Sequence, residues 1–277
     1  MNRKINNRYG KIFKELREKR SLPLSHFEKI GISKSSLAKF ERGETMMKFD
    51  RVVNALQEMD FTLTEFEHFI NDFSLSYIEE KLKEIEVADF TQDSTKLEEI
   101  YQDTKIRGYT LTSLSAKALF MGLTEEEEEE LIINHLFETE SWGYFELSIF
   151  YFTMDCLKTR EILKLLHPFL LHGHTFLDIQ GYRERFLQVS YRAVARMCYT
   201  KNQELAHIIL GNTRLEKYEH SLLLTNIRNI IEGYYIYTFE NQSKGEELMN
   251  EAIWIFNKLN SHKIAEYYQH RYDKYIK

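Results

Sequence analysis

The 277-residue chain is 43% hydrophobic and carries a net charge of -6, which gives enough apolar material for one small and one larger domain. Only two prolines, Pro23 and Pro168, and eleven glycines interrupt it, which excludes an all-β chain punctuated by turns and leaves an all-α fold. No basic-then-apolar leader opens the sequence and no apolar run approaches the roughly 20 residues that cross a bilayer, so secretion and membrane insertion have no support and the cytoplasm is the expected compartment.

The charge is unevenly placed. Residues 1 to 52 hold 14 Lys and Arg against six acids, a net of +8, so the remaining chain stands at -14. A basic head on an acidic body fits a polyanion at the head, with an affinity that falls steeply as salt rises. Cys156 and Cys198 stand apart without a C-x-x-C spacing and read as buried thiols.

In chain order, Tyr9, Ile12, Phe13 and Leu16 recur at helical spacing and predict a first helix, with Arg8, Lys11, Lys14 and Arg17 between them. Pro23 suits the first turn of a short second helix with an apolar side of Leu24, Phe27 and Ile30. Gly31 ends it, Ile32 tucks inward, and Ser33 is placed to cap a third helix from about Lys34 to Arg42. Leu37 and Phe40 give this helix an inward edge and leave Lys34, Ser35, Ser36 and Lys39 facing out. Gly43 supplies the stop. Phe49, Val52, Val53 and Leu56, then Leu63, Phe66, Phe69 and Ile70, predict two more helices, with Thr62 or Thr64 as a cap, closing a five-helix module within residues 1 to 72.

The stretch Gly31-Ile32-Ser33-Lys34-Ser35-Ser36-Leu37-Ala38-Lys39-Phe40-Glu41-Arg42-Gly43, with Leu16-Arg17-Glu18-Lys19-Arg20 before it, resembles the phage-repressor-like (XRE-type) helix-turn-helix superfamily. The resemblance implies operator DNA as partner and a pairing of Arg17 with Glu41 or with phosphate. Arg17, Ser33, Lys34, Ser35, Ser36, Lys39, Arg42 and Lys48 are the candidate DNA contacts, with Arg8 and Lys11 as further phosphate candidates.

From about Ser76 the sequence reads as successive amphipathic helices, with breaks near Asp89 to Ser94, Arg107 to Thr110, Thr139 to Gly143, His172 to His174, Thr200 to Asn202, Asn241 to Gly245 and Asn260 to His262. Gly233, Gly245, Met249 and Ala252 match the small and bulky positions of a tetratricopeptide (TPR) unit. Ala206 and Leu210 are the matching positions of the preceding hairpin, although Val194 stands where a glycine is expected. The fold expected for residues 73 to 277 is a degenerate TPR-like helical-repeat domain.

The whole chain, including Trp142-Gly143-Tyr144-Phe145-Glu146-Leu147 and Ile231-Glu232-Gly233-Tyr234-Tyr235-Ile236-Tyr237, resembles the Rgg (MutR/GadR-type) family of Gram-positive transcriptional regulators. That likeness implies a homodimer whose repeat domain binds a short signalling peptide. Family members often carry an asparagine shortly after the Trp-Gly motif, where this chain has Tyr151 and Phe152. A second reading, in which the body is a ligandless scaffold for dimerisation or RNA polymerase contact, therefore stays open.

For peptide binding the candidates are Arg185, Arg192 and Arg196 on one stripe, to meet a carboxylate, and Asn226 and Asn229 on another helix, to bond peptide amides. The aromatic tail of Tyr267, Tyr268, Tyr272 and Tyr275 is expected to pack on its own domain, with docking on a second subunit as the alternative. Glu125 to Glu130 read as a solvated first turn capped by Thr124. His167, His172, His174 and Asp178 crowd together without a full tetrahedral zinc set, so neither metal nor cofactor is expected. No phosphate loop, nucleophile elbow or paired metalloprotease histidines suggest an enzyme.

Overall fold

The computed structural model describes residues 7–71, 75–172, 176–213 and 221–276, and among them every regular element is a helix. The chain divides into two compact units, Met1–Glu80 and Lys81–Lys277.

In the first unit, α1 (Arg8–Lys19), a 3-10 helix (Leu24–Ile30), α2 (Lys34–Glu41), α3 (Phe49–Gln57) and α4 (Leu63–Ile70) enclose a core of Phe13, Leu16, Phe27, Ile32, Leu37, Phe40, Ala55, Leu56, Met59 and Phe66. Phe13 sits at its centre, with ring centroids 6.0 Å from Phe27 and 5.6 Å from Phe40. Pro23 occupies the position just before the 3-10 helix rather than its first turn. Gly31 has φ 77°, the left-handed conformation that lets the chain reverse within one residue and bury Ile32 before α2 begins.

Two devices hold α2 at its ends. At the start, the Ser33 hydroxyl accepts from the Ser36 backbone N–H at 3.3 Å. At the far end, Arg17 of α1 grips the Glu41 carboxylate with both prongs, Nε to Oε1 at 2.7 Å and Nη2 to Oε2 at 2.8 Å, while its Nη1 donates to the Leu22 carbonyl at 2.8 Å. Both side chains are buried. Of the alternatives open to Arg17, the pairing with Glu41 is the one realised. Its guanidinium is committed inside the module, where Nε, Nη1 and Nη2 all donate to protein groups, so of the candidate DNA contacts Arg17 is the one the structure buries.

Two of the expected core residues face outward: Phe49 is 70% exposed and Leu63 43% exposed. Each is the first residue of its helix, ahead of the turn that meets the core. Thr62, not Thr64, caps α4, in a reciprocal box in which Thr62 N–H donates to Glu65 Oε2 at 2.7 Å and Glu65 N–H to Thr62 Oγ1 at 3.1 Å.

The second unit takes up the chain part-way along α5 (Tyr77–Thr91) and continues through α6 (Ser94–Ile106), α7 (Thr110–Phe120), α8 (Glu126–Glu138), α9 (Tyr144–Thr153), α10 (Thr159–His172), α11 (Gln180–Tyr199), α12 (Gln203–Asn212), α13 (Leu222–Phe239), α14 (Gln242–Lys258) and α15 (His262–Ile276). Helices adjacent in sequence pack together at α6/α7, α11/α12, α13/α14 and α14/α15, and α9 and α13 both lie against α11. This is a degenerate TPR-like stack of helical hairpins. None of the described helices is long and apolar enough to cross a membrane.

The TPR-like positions mark where α13 and α14 come closest. A Cβ on Gly233 would lie 2.8 Å from Met249 Cγ and 2.9 Å from the Gly245 carbonyl oxygen, and one on Gly245 would run into the backbone of Tyr237 and Gly233. Ala252 and Met249 are buried in the same interface, as are Ala206, Leu210 and Val194 in the preceding pair. The Trp-Gly motif is also structural. Trp142 is buried against Phe150 and Phe169 and donates through Nε1 to the Leu136 carbonyl at 2.9 Å, while Gly143 N–H donates to Glu146 Oε2 at 2.9 Å at the start of α9.

Several breaks differ from expectation. The one expected over Asn241 to Gly245 shrinks to Glu240 and Asn241, because Asn241 Oδ1 accepts from Lys244 N–H at 2.9 Å and α14 starts at once. The stretch before α8 is not capped by Thr124: Glu125 takes that place, and Thr124 N–H instead donates to Glu128 Oε2 at 3.1 Å. Glu128 also pairs with Lys117, a buried lysine of α7, so this acidic run is only partly a solvated face. Of the expected break at His172 to His174, residues 173 and 174 lie outside the described residues.

Two substitutions test these contacts. Gly245→Ala should cost the larger unit about 1–3 kcal/mol, because its methyl group meets backbone that has no rotamer to relieve it; urea unfolding of the full chain reads this, and an unshifted midpoint would mean α13 and α14 are farther apart. Glu41→Ala should cost the smaller unit about 3 kcal/mol by leaving the Arg17 charge buried without its partner, whereas a loss within 0.5 kcal/mol would show the pair to be dispensable.

Candidate functional site

Two surfaces carry chemistry, one in each unit. In the first, the buried edge of α2 is Leu37, Phe40 and Glu41, which leaves Lys34, Ser35, Ser36 and Lys39 on its exposed side, with Ser33 exposed at the cap. The Ser33 hydroxyl donates to Ser36 Oγ at 2.9 Å, so the hydroxyls form one short polar ridge at the helix start. Lys34 Nζ stands 3.7 Å from Glu28, an exposed pair too weak to hold it. Arg8, Lys11, Lys48 and Arg42 of the same unit are also exposed. Arg42 is paired with Glu44, whose carboxyl the guanidinium holds below its usual range, so Arg42 reaches an external anion only in competition with Glu44. Arg17 alone of the eight candidates is turned away from solvent.

In the second unit, α9, α11, α13, α14 and α15, with Phe90 of α5, surround a cavity of about 340 Å³. Its apolar wall comes from Ile227, Ile230 and Ile231 of α13 and Met249 of α14. Tyr151, Tyr267 and Tyr268 supply aromatic faces, and Arg192, Arg196, Arg271 and Lys274 supply positive charge. The sole acid among the lining residues is Asp155, just past the end of α9.

Asp155 Oδ2 accepts from Arg192 Nη2 at 2.7 Å and from Nε at 3.3 Å, and lies 3.8 Å from Arg271 Nη1. Burial by itself would raise the carboxyl's pKa, but Arg192 and Arg271 outweigh it and hold Asp155 well below the usual carboxylate range. Its side chain is nonetheless 38% exposed, because it faces the recess rather than packed protein. Burial pushes Tyr151, Tyr267 and Tyr268 up, so at neutral pH these hydroxyls are neutral donors beside charged guanidinium groups. Arg192 lies 4.7 Å from the Tyr151 ring and Arg271 the same distance from the Tyr267 ring.

The structure brings together only part of the set expected to bind a peptide. Arg192 and Arg196 line the cavity. Arg185 does not: it is 1% exposed, donates to Glu86 Oε2 at 2.8 Å and to the Tyr144 hydroxyl at 3.1 Å, and lies 5.1 Å from the Phe152 ring. Phe152 is thus one wall of a closed arginine pocket rather than a groove residue. Asn226 is buried between α13 and α14, where Nδ2 donates to the Ala252 carbonyl at 2.7 Å. Asn229 is half-buried and outside the cavity lining.

Sequence reasoning missed Asp155 and Arg271. Arg271 falls one turn after Tyr267 on α15, the aromatic tail, which does pack on its own unit but also forms a wall of the recess. Cys198 is buried and its thiol is pushed up to about 12 by burial, while Cys156 is half-buried with its thiol also raised. Among the described residues no group of His, Cys, Asp and Glu is arranged to hold a metal ion. Of the histidine cluster, His174 and the side chain of His172 lie outside the described residues.

A family model described as "HTH-type transcriptional regulator Rgg, C-terminal domain" matches residues 80–270. Among solved structures, the SHP pheromone receptor Rgg2 of Streptococcus dysgalactiae superposes with a TM-score of 0.81 at 19% identity, covering 96% of this chain and 100% of that one. A protein of Listeria monocytogenes EGD-e matches with a TM-score of 0.80 at 15% identity over 97% of both chains. PrgX in its complex with cCF10 matches with a TM-score of 0.70 at 14% identity, over 96% of this chain and 92% of that one. At such identities the structural likenesses speak for the fold, and the family match carries the assignment: this chain belongs to the Rgg family of transcriptional regulators and is not an enzyme.

Proposed function

We propose that the chain is a homodimeric, cytoplasmic regulator whose α2 enters the major groove of an operator, and whose repeat domain holds a short apolar signalling peptide in the cavity between α9, α11, α13 and α15. The observation that carries the DNA half is the exposed run Ser33, Lys34, Ser35, Ser36 and Lys39 at the start of a helix fixed at both ends. Donors of this kind suit base edges and phosphates, and the lysines suit guanine. Lys48, Arg8 and Lys11, exposed on the same unit, would serve as phosphate contacts, and Arg42 would if it gave up Glu44. Two copies of α2 would then address half-sites roughly 34 Å apart.

For the peptide half, the support is a recess of about 340 Å³ with an isoleucine wall, aromatic faces and an excess of positive charge. Arg192 and Arg196 are its polar anchors. Relatives point the same way, since Rgg2 is described as a pheromone receptor and PrgX as a complex with cCF10. A ligandless scaffold would leave a cavity with four cationic linings unused. Peptide would change operator occupancy or promoter activation by binding two arrangements of the dimer unequally.

The test is an anisotropy titration of the full chain on chromosomal duplexes that it enriches. Lys34→Ala with Lys39→Ala should remove discrimination between enriched and unrelated duplexes, at a cost of about 1–3 kcal/mol per base contact, while the dimer stays intact. A double variant that discriminates as well as the parent would overturn the assignment of α2 as the reading helix.

A further inference from the structure

The charges around the cavity do not balance. Arg192, Arg196, Arg271 and Lys274 face it, against Asp155. Other carboxylates that reach the lining are engaged: Asp89 accepts from the Tyr267 hydroxyl at 3.2 Å, Glu246 from the Tyr272 hydroxyl at 2.7 Å, and Glu86 is held by Arg185 at 2.8 Å. Lys274 is exposed, but even without it three guanidinium groups face the single lining carboxylate, inside a domain that is otherwise strongly acidic. Arg192 Nη1 and Arg196 Nε are buried with no hydrogen-bond partner, and Arg192 is 7% exposed. Burying guanidinium hydrogens in this way is costly unless something comes to meet them.

Asp155 is the movable member of the set. It follows the last turn of α9, makes both of its short contacts through Oδ2, and faces the recess with 38% of its side chain accessible. Its partners Arg192 and Arg271 come instead from the interiors of α11 and α15. A carboxylate can therefore leave this pair, or be joined by a second one, without disturbing a helix.

We propose that the cavity selects an occupant with a carboxylate next to a large apolar side chain, and that Asp155 is an internal stand-in for that carboxylate, competing with it for Arg192 and Arg271. The apolar side chain lies against Ile227, Ile230 and Ile231. This rests on the peptide-binding reading above and adds to it the chemistry of the end that is recognised. The carboxylate is either the free C-terminus of the peptide or an acidic side chain.

Calorimetric titration of the full chain with three pools of N-acetylated pentapeptides built from Leu, Ile, Val and Phe tests this. One pool ends in a free carboxylate, one in an amide, and one in an amidated Asp. The free-acid pool should bind about tenfold or more tightly than the plain amide, the difference expected for charge-assisted hydrogen bonds. Tight binding of the amidated Asp pool as well would assign the role to a side-chain carboxylate. Asp155→Asn should tighten acid binding and widen the gap. Since it also leaves Arg192 without its partner, Arg196→Gln provides a second variant, at a residue with no ion pair among the described residues, and should narrow the gap. Equal binding of all three pools, or, in Asp155→Asn, weaker binding of the pool that the parent prefers, overturns the carboxylate assignment alone. Binding of none of the pools overturns both it and the peptide reading.

Discussion

The two-pronged contact between Arg17 and Glu41 is the constraint on which the amino-terminal unit depends. It ties the end of α1 to the end of α2, the helix we propose reads a duplex. An ion pair removed from water repays its desolvation only when its geometry is good and its remaining donors are used. Here both prongs lie near 2.8 Å and the third donor meets the Leu22 carbonyl. With the Gly31 turn and the Ser33 cap fixing the start, the eight residues of α2 have little freedom to rotate. Which side chains face outward is thereby fixed in advance, which would leave less ordering to be done on binding a duplex as proposed.

The body follows a different physical logic. Glycines at 233 and 245 let α13 and α14 approach to backbone contact, as small residues do in TPR-like pairs, and the stack then leaves room elsewhere between α9, α11 and α15. That room is lined by cations in an otherwise acidic domain. Concentrating positive charge in a recess makes it a stronger attractor for an anion than the same groups would be when spread over a convex surface. Asp155 offsets part of that charge, and in the proposed scheme competes with an entering anion for Arg192.

Much of the fold was legible from local chemistry. The turn at Gly31, the cap at Ser33, the inward Leu37 and Phe40 and the pairing of Arg17 with Glu41 are short-range or motif-borne signals, and the structure contains each of them. Periodicity overreached at Phe49 and Leu63, because it places a residue on a face but not on the turn that meets the core. The ligand site was only half legible. Arg185, Arg192 and Arg196 share a stripe of α11, but Glu86, about a hundred residues earlier in the chain, claims Arg185, and Asp155 claims Arg192. Asn226 looked equally free until Ala252 of the neighbouring helix took its amide. Partners distant in sequence decide whether a polar residue is a structural tie or an open contact, and one helix's spacing does not reveal them.

The central claim is that α2 of each protomer reads a duplex, two at a time. A hydroxyl-radical footprint of the full chain on the duplexes it enriches tests it most directly. The account expects two protected patches on one face of the helix, their centres one turn or a whole number of turns apart. Protection of a single patch, or protection that slides along any sequence without a preferred register, would contradict it.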